Sequence, residues 1–118
     1  MEEIRRLDTI SRKIFDFYIP DTDVKYTVYE TSRISGKSTY VGETDYNEKI
    51  IKIEMGSLKQ MRLTLIHELM HVWLYEIKGI TEQNFKFYTN EELCEYMAES
   101  YDFIYNILKE NGGMYKYD

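Results

Sequence analysis

The sequence predicts a single α+β domain, because a stretch rich in β-forming residues lies between segments of helical periodicity. The chain has 118 residues, 43% of them hydrophobic, which suits one hydrophobic core and is too short for two. β-Branched and aromatic residues concentrate between positions 24 and 55. After Gly56 the apolar residues recur at helical spacing. We therefore expect residues 1–118 to form one domain, with a small twisted three-stranded sheet and three helices.

The first predicted helix covers residues 3–18. Apolar residues recur there every three or four positions, which is the period of one helix face, and Pro20 ends the pattern. These residues are Ile4, Leu7, Ile10, Ile14 and either Phe17 or Tyr18. The N-terminal segment is thus expected to be helical throughout.

Three short strands are predicted next, at residues 24–31, 38–44 and 49–55. Each is rich in valine, isoleucine, threonine or tyrosine, and turn residues separate them. The short connections favour an antiparallel meander and leave a mixed sheet open as the alternative. The third strand could present a free edge to an extended peptide or be fully paired.

A long helix is predicted to begin after Ser57. Ser57 followed by Gln60 has the spacing of a capping box, in which each side chain bonds to the other residue's backbone N–H. The apolar pattern then continues to about Lys78, and Gly79 is placed to end the helix.

The last helix is predicted to follow a loop at residues 80–89. Asn90 is the expected N-cap, since its side chain can accept a backbone hydrogen bond. The helix should run to about Asn111 and stop at Gly112 and Gly113. Residues 114–118 are expected to form a flexible tail.

Charge and cysteine content exclude several functional classes. The formal net charge is -6, and the basic residues are scattered, which argues against nucleic-acid binding. Cys94 is the only cysteine, so no internal disulfide can form and a reducing cytoplasmic location is expected. The sequence shows no signal-peptide pattern and no apolar run of membrane-spanning length. We expect no membrane partner.

The string His67-Glu68-Leu69-Met70-His71 matches H-E-x-x-H and contains both histidines of the chain. Side chains four residues apart lie one turn above each other on a helix, so both imidazoles can bind one metal ion. Zinc would lower the pKa of a bound water, and Glu68 would accept its proton as the water attacks a carbonyl. The motif therefore predicts one Zn²⁺ per chain, held by His67 and His71, with Glu68 as the catalytic base.

A catalytic zinc ion usually has three protein ligands, and no third histidine is present. A carboxylate or the Cys94 thiolate must therefore supply the third ligand. The acidic start of the last helix offers Glu91, Glu92, Glu95 and Glu99.

The two helical motifs together resemble those of the gluzincins, the thermolysin-like metallopeptidases. In that group an N-E-x-x-x-D string on the downstream helix follows H-E-x-x-H, and here residues 90–95 read Asn-Glu-Glu-Leu-Cys-Glu. The resemblance implies that Glu91 is the third ligand and that Glu95 braces a ligating histidine. Glu92 becomes the ligand if the register shifts by one residue.

The length and order of elements also resemble the small zincin-like proteins of bacterial mobile elements and phages, similar to the ImmA/IrrE metallopeptidases. The resemblance implies a zincin fold that hydrolyses a peptide bond in a protein or peptide substrate. A non-catalytic, zinc-stabilised module that binds a regulatory protein is the alternative. Four tyrosines are positional candidates to stabilise the oxyanion, with packing as their alternative role: Tyr75, Tyr88, Tyr96 and Tyr101.

Overall fold

The computed structural model describes residues 10–32 and 41–115. They form a small α+β structure with two long helices and a four-stranded sheet, so the predicted α+β class is confirmed and the predicted number of strands is wrong. The elements are β1 (Ser11–Tyr18), β2 (Lys25–Thr31), β3 (Gly42–Asp45), β4 (Ile50–Glu54), α1 (Leu58–Trp73) and α2 (Asn90–Glu110).

The sheet is mixed, with the strand order β1-β2-β4-β3. β1 and β2 are antiparallel, β2 and β4 are parallel, and β3 and β4 are antiparallel. The predicted antiparallel meander is therefore wrong, and the mixed alternative is what forms. β4 is paired on both sides, so it offers no edge to a peptide, and β3 is the edge strand on that side of the sheet.

The predicted N-terminal helix is wrong over Ser11–Tyr18, which forms β1, and residues 3–9 lie outside the described part of the chain. The apolar residues Phe15 and Phe17 are two apart and both are buried, as a strand requires. The pairing register shifts between Lys13 and Phe15, which absorbs Ile14. This irregularity explains why a count of apolar residues at helical spacing was misleading there.

The predicted strands at 24–31 and 49–55 agree with β2 and β4. Residues 38–40 of the predicted strand at 38–44 lie outside the described residues. Alternate residues of β2 and β4 point toward the helices, and α1 covers them with its own apolar face. Each fully buried aliphatic side chain contributes roughly 1.5–3 kcal/mol to stability. The completely buried members of this core include Val28, Ile51, Ile53, Leu65, Leu69 and Val72.

The predicted start and stop of the first long helix are confirmed. The Ser57 hydroxyl accepts a hydrogen bond from the Gln60 backbone N–H at 3.1 Å. The α-helix ends at Trp73, and the chain continues as a single π-helical turn, Leu74–Lys78. Gly79 ends that turn with φ at 70°, a left-handed conformation that glycine adopts without steric penalty.

α2 begins one residue earlier than its predicted cap implies. Thr89 is the N-cap, and its hydroxyl accepts a hydrogen bond from the Glu92 N–H while Glu92 accepts one from the Thr89 N–H. Asn90 is therefore the first helical residue and not the cap. The predicted loop before α2 contains a 3-10 helix, Glu82–Phe87. Among the described residues, no helix has the combined length and hydrophobicity that crossing a bilayer requires.

Part of the predicted C-terminal tail packs against the sheet. Tyr115 is buried, and its hydroxyl donates a 2.6 Å hydrogen bond to the buried carboxylate of Glu30, which also accepts one from Arg12. Met114 is partly buried against the same core, and residues 116–118 lie outside the described residues. The buried Glu30 carboxylate thus ties the C-terminal segment to β2.

Replacing Tyr115 by phenylalanine should destabilise the protein by about 1–3 kcal/mol, because the buried Glu30 carboxylate loses a donor. Burial and the bond to Glu30 raise the pKa of Tyr115. A raised pKa stabilises the fold below the unfolded tyrosine value of about 10, and that contribution is lost as the pH rises further. In urea unfolding, the difference in the free energy of unfolding between wild type and Tyr115→Phe should be smaller above pH 10 than at pH 7. Tyr18→Phe, at an exposed position, is the control.

Candidate functional site

Helix α1 brings His67 and His71 together on one side, as their spacing predicts. The two Nε2 atoms are 3.1 Å apart, and the rings meet edge to face with centroids separated by 4.7 Å. Two nitrogens bound tetrahedrally to one zinc ion at 2.0–2.1 Å lie about 3.3 Å apart. The histidine pair therefore fits a shared metal ion. The same distance also suits an N–H···N hydrogen bond between neutral imidazoles, with the donor set by the tautomer.

Glu68 lies on the buried side of α1, where it faces the edge strand β3. Its side chain is only slightly exposed, and its Oε1 accepts a 2.7 Å hydrogen bond from the Thr44 hydroxyl. This bond joins α1 to β3 and holds the carboxylate in one position next to the histidine pair. A carboxylate placed in this way is suited to act as a general base. Sequence reasoning did not identify Thr44, since no local pattern marks a contact between residues 24 positions apart.

Gly42 permits this close approach of β3 to α1. A Cβ atom at position 42 would lie 2.5 Å from the Thr64 Cγ2 and 3.1 Å from the Glu68 Oε2. The first distance is shorter than Cβ contacts in proteins, so Thr64 or the backbone on either side must shift, and the second requires the Glu68 side chain to move by a few tenths of an ångström. The glycine therefore determines how deeply β3 sits against the site.

Gly42→Ala should destabilise the protein by about 1–3 kcal/mol, the usual effect of overpacking a tight contact. Gly56→Ala is a matched control, because a Cβ there meets nothing closer than the Gln60 Oε1 at 3.4 Å. Urea unfolding of both variants measures the difference. Equal stability of the two variants would show that β3 moves away from Thr64 at little energetic expense.

His71 has a carboxylate on its other ring nitrogen. The Nδ1 atom is 3.5 Å from the Oε1 of Glu82, and the His71 ring stacks on Phe85 at a centroid distance of 6.1 Å. Both residues belong to the 3-10 helix before α2. Carboxylates in this position fix the orientation of a metal-binding imidazole. Glu82 therefore has the position that the resemblance assigned to Glu95, and sequence reasoning missed it because the 3-10 helix was predicted as loop.

Tyr46 lies between the acidic residues of the site. Its hydroxyl is 3.5 Å from the Oε1 of Glu82, and its ring stacks on Tyr75 at 4.2 Å. Burial, and then the negative charges of Glu82 and Glu68, raise the pKa of Tyr46. The phenol therefore keeps its proton and remains a hydrogen-bond donor near Glu82 and Glu68. No sequence pattern points to Tyr46, because position 46 falls in a turn.

The predicted third ligands on α2 point away from the histidine pair on α1. Glu91 and Glu95 are exposed, and at about 100° per residue they lie more than 100° from the middle of the face that meets α1. Glu92 is exposed and occupied as the capping partner of Thr89. Within residues 10–32 and 41–115, no group of three metal-binding side chains forms.

The remaining donors and tyrosines considered from sequence are also accounted for. The Glu99 carboxylate is 3.4 Å from Lys78, and Cys94 is an exposed free thiol. Tyr88 and Tyr96 pack edge to face against each other, and Tyr101 is exposed on α2. Packing is therefore the observed role of this pair.

A mostly apolar groove of about 620 Å³ runs between α1 and α2, and the histidine pair forms part of its wall. We call it the α1–α2 groove. A second, more polar depression of about 450 Å³ lies between α1 and the start of β3, with His67 and Glu68 in its lining. His67 borders both depressions. The apolar walls of the groove include Leu63, Ile66, Met70, Leu93, Met97 and Ile104.

Comparisons of the chain with protein-family models, with curated protein sequences and with solved structures give no match.

Proposed function

We propose that the chain is a zinc-dependent metallopeptidase with a zincin-like arrangement, in which His67 and His71 hold one zinc ion and Glu68 is the general base. The observation that carries this proposal is the 3.1 Å approach of the two Nε2 atoms beside a buried, hydrogen-bonded carboxylate. A chance pair of histidines at helical spacing needs neither the buried Glu68 nor the carboxylate at the His71 Nδ1.

A bound zinc ion would polarise the substrate's peptide carbonyl and lower the pKa of a bound water. Glu68 then accepts a proton in the attack on the peptide carbonyl and returns it to the leaving amine. Thr44 keeps the carboxylate in place through its hydroxyl. Among the described residues β3 is an edge strand, and its edge and the depression beside it give an extended peptide room to lie across Glu68.

The third metal ligand remains a prediction. In the arrangement described, Glu91 reaches the histidine pair only if α2 rotates about its axis by roughly 100° or more. A partner protein, the substrate or water could also occupy that position. A cytoplasmic location likewise remains a proposal, supported by the single cysteine.

A non-catalytic zinc-stabilised interaction module is the second candidate function. One observation favours it, the mostly apolar groove beside the histidine pair, which is a surface suited to a protein partner. Zinc analysis of untagged protein and hydrolysis assays of the Glu68→Gln variant separate the two candidates. Zinc binding with no hydrolysis of any substrate would favour the module.

A further inference from the structure

We propose that the α1–α2 groove is the specificity pocket of the proposed peptidase and accepts a large apolar side chain next to the scissile bond. The inference rests on the proposed function, because it places the bond to be cleaved over the histidine pair and Glu68. His67 is exposed and forms part of the wall of both the groove and the polar depression beside β3. A peptide that lies over His67 therefore has the depression on one side and the groove on the other.

The two depressions differ in chemistry. The one beside β3 contains the Glu68 carboxylate together with Gln60 and Thr64, so it suits polar atoms. The groove is mostly apolar on both walls, and burying a charged group there without a partner is costly. A substrate residue that enters the groove is therefore apolar. On the α1 wall, the residues within about one turn of His67 are Leu63, Ile66 and Met70.

The α2 wall presents exposed apolar side chains at the level of the histidine pair. The Ser100 hydroxyl donates a 3.1 Å hydrogen bond to the sulfur of Met70, which lies between the two histidines on α1. Met97 and Tyr101 are on either side of Ser100 along α2, and both line the groove. Met97 is 54% exposed and Tyr101 63%. Apolar surface left open in this way marks binding sites in soluble proteins.

The charge and size of the groove define the side chain that it accepts. Among the described residues that line it, none is acidic, and Arg62 is the only base besides the histidines. The Arg62 guanidinium donates a 3.0 Å hydrogen bond to the Met114 carbonyl, and Arg62 lies about 7.5 Å before His67 along α1. The volume of about 620 Å³ is within the range of about 300–1,000 Å³ of pockets that bury small ligands. The groove therefore has room for leucine, methionine or phenylalanine and offers no carboxylate to a lysine or arginine.

The test begins with zinc-loaded wild-type protein and a random-sequence peptide library, in which mass spectrometry identifies the new termini. On one side of the cleaved bond, leucine, methionine and phenylalanine should occur at least 10-fold more often than aspartate, glutamate or lysine. Even one methylene in an apolar pocket changes kcat/KM by about 10–200-fold. The side that lies in the polar depression should show no such preference.

Met97→Glu should reduce the apolar preference at least 10-fold and admit lysine, because it places a carboxylate on the groove wall. Zinc content and the unfolding midpoint should not change, since Met97 is exposed. Tyr101→Glu is a second groove variant with the same expected loss. Met55→Glu, the same exchange at an exposed residue that lines neither depression, is the control and should keep the wild-type preference. In zinc-loaded Glu68→Gln protein, a fluorescent peptide from the cleaved set should bind at least 10-fold more weakly when Met97→Glu is added.

Three outcomes separate this inference from the proposed function. Cleavage with no apolar preference on either side of the bond would overturn the inference and leave the proposed function standing. An unchanged preference in both Met97→Glu and Tyr101→Glu would do the same. A wild-type protein that contains zinc and cleaves no peptide of the library would remove the proposed function, and this inference with it.

Discussion

Protein purified without a histidine tag is expected to contain about one zinc ion per chain, and His67→Ala is expected to lose it. The paired Nε2 atoms are the two proposed ligands, and the chain has no other histidine to replace one. Removing a direct ligand should weaken zinc binding by more than the 10–100-fold typical of a residue that only orients a ligand. Metal analysis and competition with a coloured chelator measure the content and the affinity.

Zinc should also stabilise the wild-type fold. At a free concentration 100 times its Kd, a ligand that binds only the native state adds about 2.7 kcal/mol. This increment should be absent from His67→Ala, whose exposed side chain can be removed without opening a core cavity. Lys59→Ala, also exposed on α1, is the control and should keep both the metal and the increment. Wild-type protein that binds no zinc after reconstitution would end the metal proposal.

Two further variants determine what completes the site. Glu82→Gln should weaken zinc binding by about 10–100-fold, because Glu82 faces the His71 Nδ1. Glu91→Gln should leave zinc binding unchanged in the arrangement described, since Glu91 is exposed on the outer side of α2. Loss of zinc in Glu91→Gln would show that α2 rotates when the metal binds and that the resemblance located the third ligand correctly.

The parts of the fold that the sequence predicted well are those governed by local chemistry. Ser57 and Gly79 mark the ends of the first long helical segment, because capping hydrogen bonds and a left-handed glycine act within a few residues. The same holds for the histidine pair, whose geometry follows from one turn of helix. Thr89 and Glu92 also have the sequence spacing of a capping box. Because Asn90 was predicted as the cap instead, the predicted start of α2 is one residue late.

The parts that failed depend on contacts between distant segments. Phe17 is in a strand because its ring stacks on Tyr26 of β2, at 5.6 Å, inside a core that no local pattern specifies. The parallel pairing of β2 with β4 likewise reflects tertiary packing, which a list of short connections does not contain. Glu82 and Thr44 reach the site through the same long-range packing. Local motifs therefore predicted the histidine pair, and the tertiary fold determines what surrounds it.

Glu68→Gln should retain zinc and reduce peptide hydrolysis by at least about 100-fold. General base catalysis contributes roughly 10²–10⁴-fold, and an amide cannot accept the proton that a carboxylate accepts. The substitution conserves shape, so the contact with Thr44 can be kept by the amide oxygen. A pool of peptides from a digested cell lysate, analysed for new termini by mass spectrometry, measures cleavage without a known substrate.

Glu110→Gln is the matched control, an exposed carboxylate at the last residue of α2 and away from the strand beside Glu68. It should cleave the pool at the wild-type rate. A Glu68→Gln protein that binds zinc and still cleaves at that rate would show that another group accepts the proton. Because Glu68 is buried against β3, a simple loss of folding must be separated from a loss of chemistry. Equal unfolding midpoints for the two variants, together with a selective loss of cleavage in Glu68→Gln, would identify the carboxylate charge itself as the catalytic requirement.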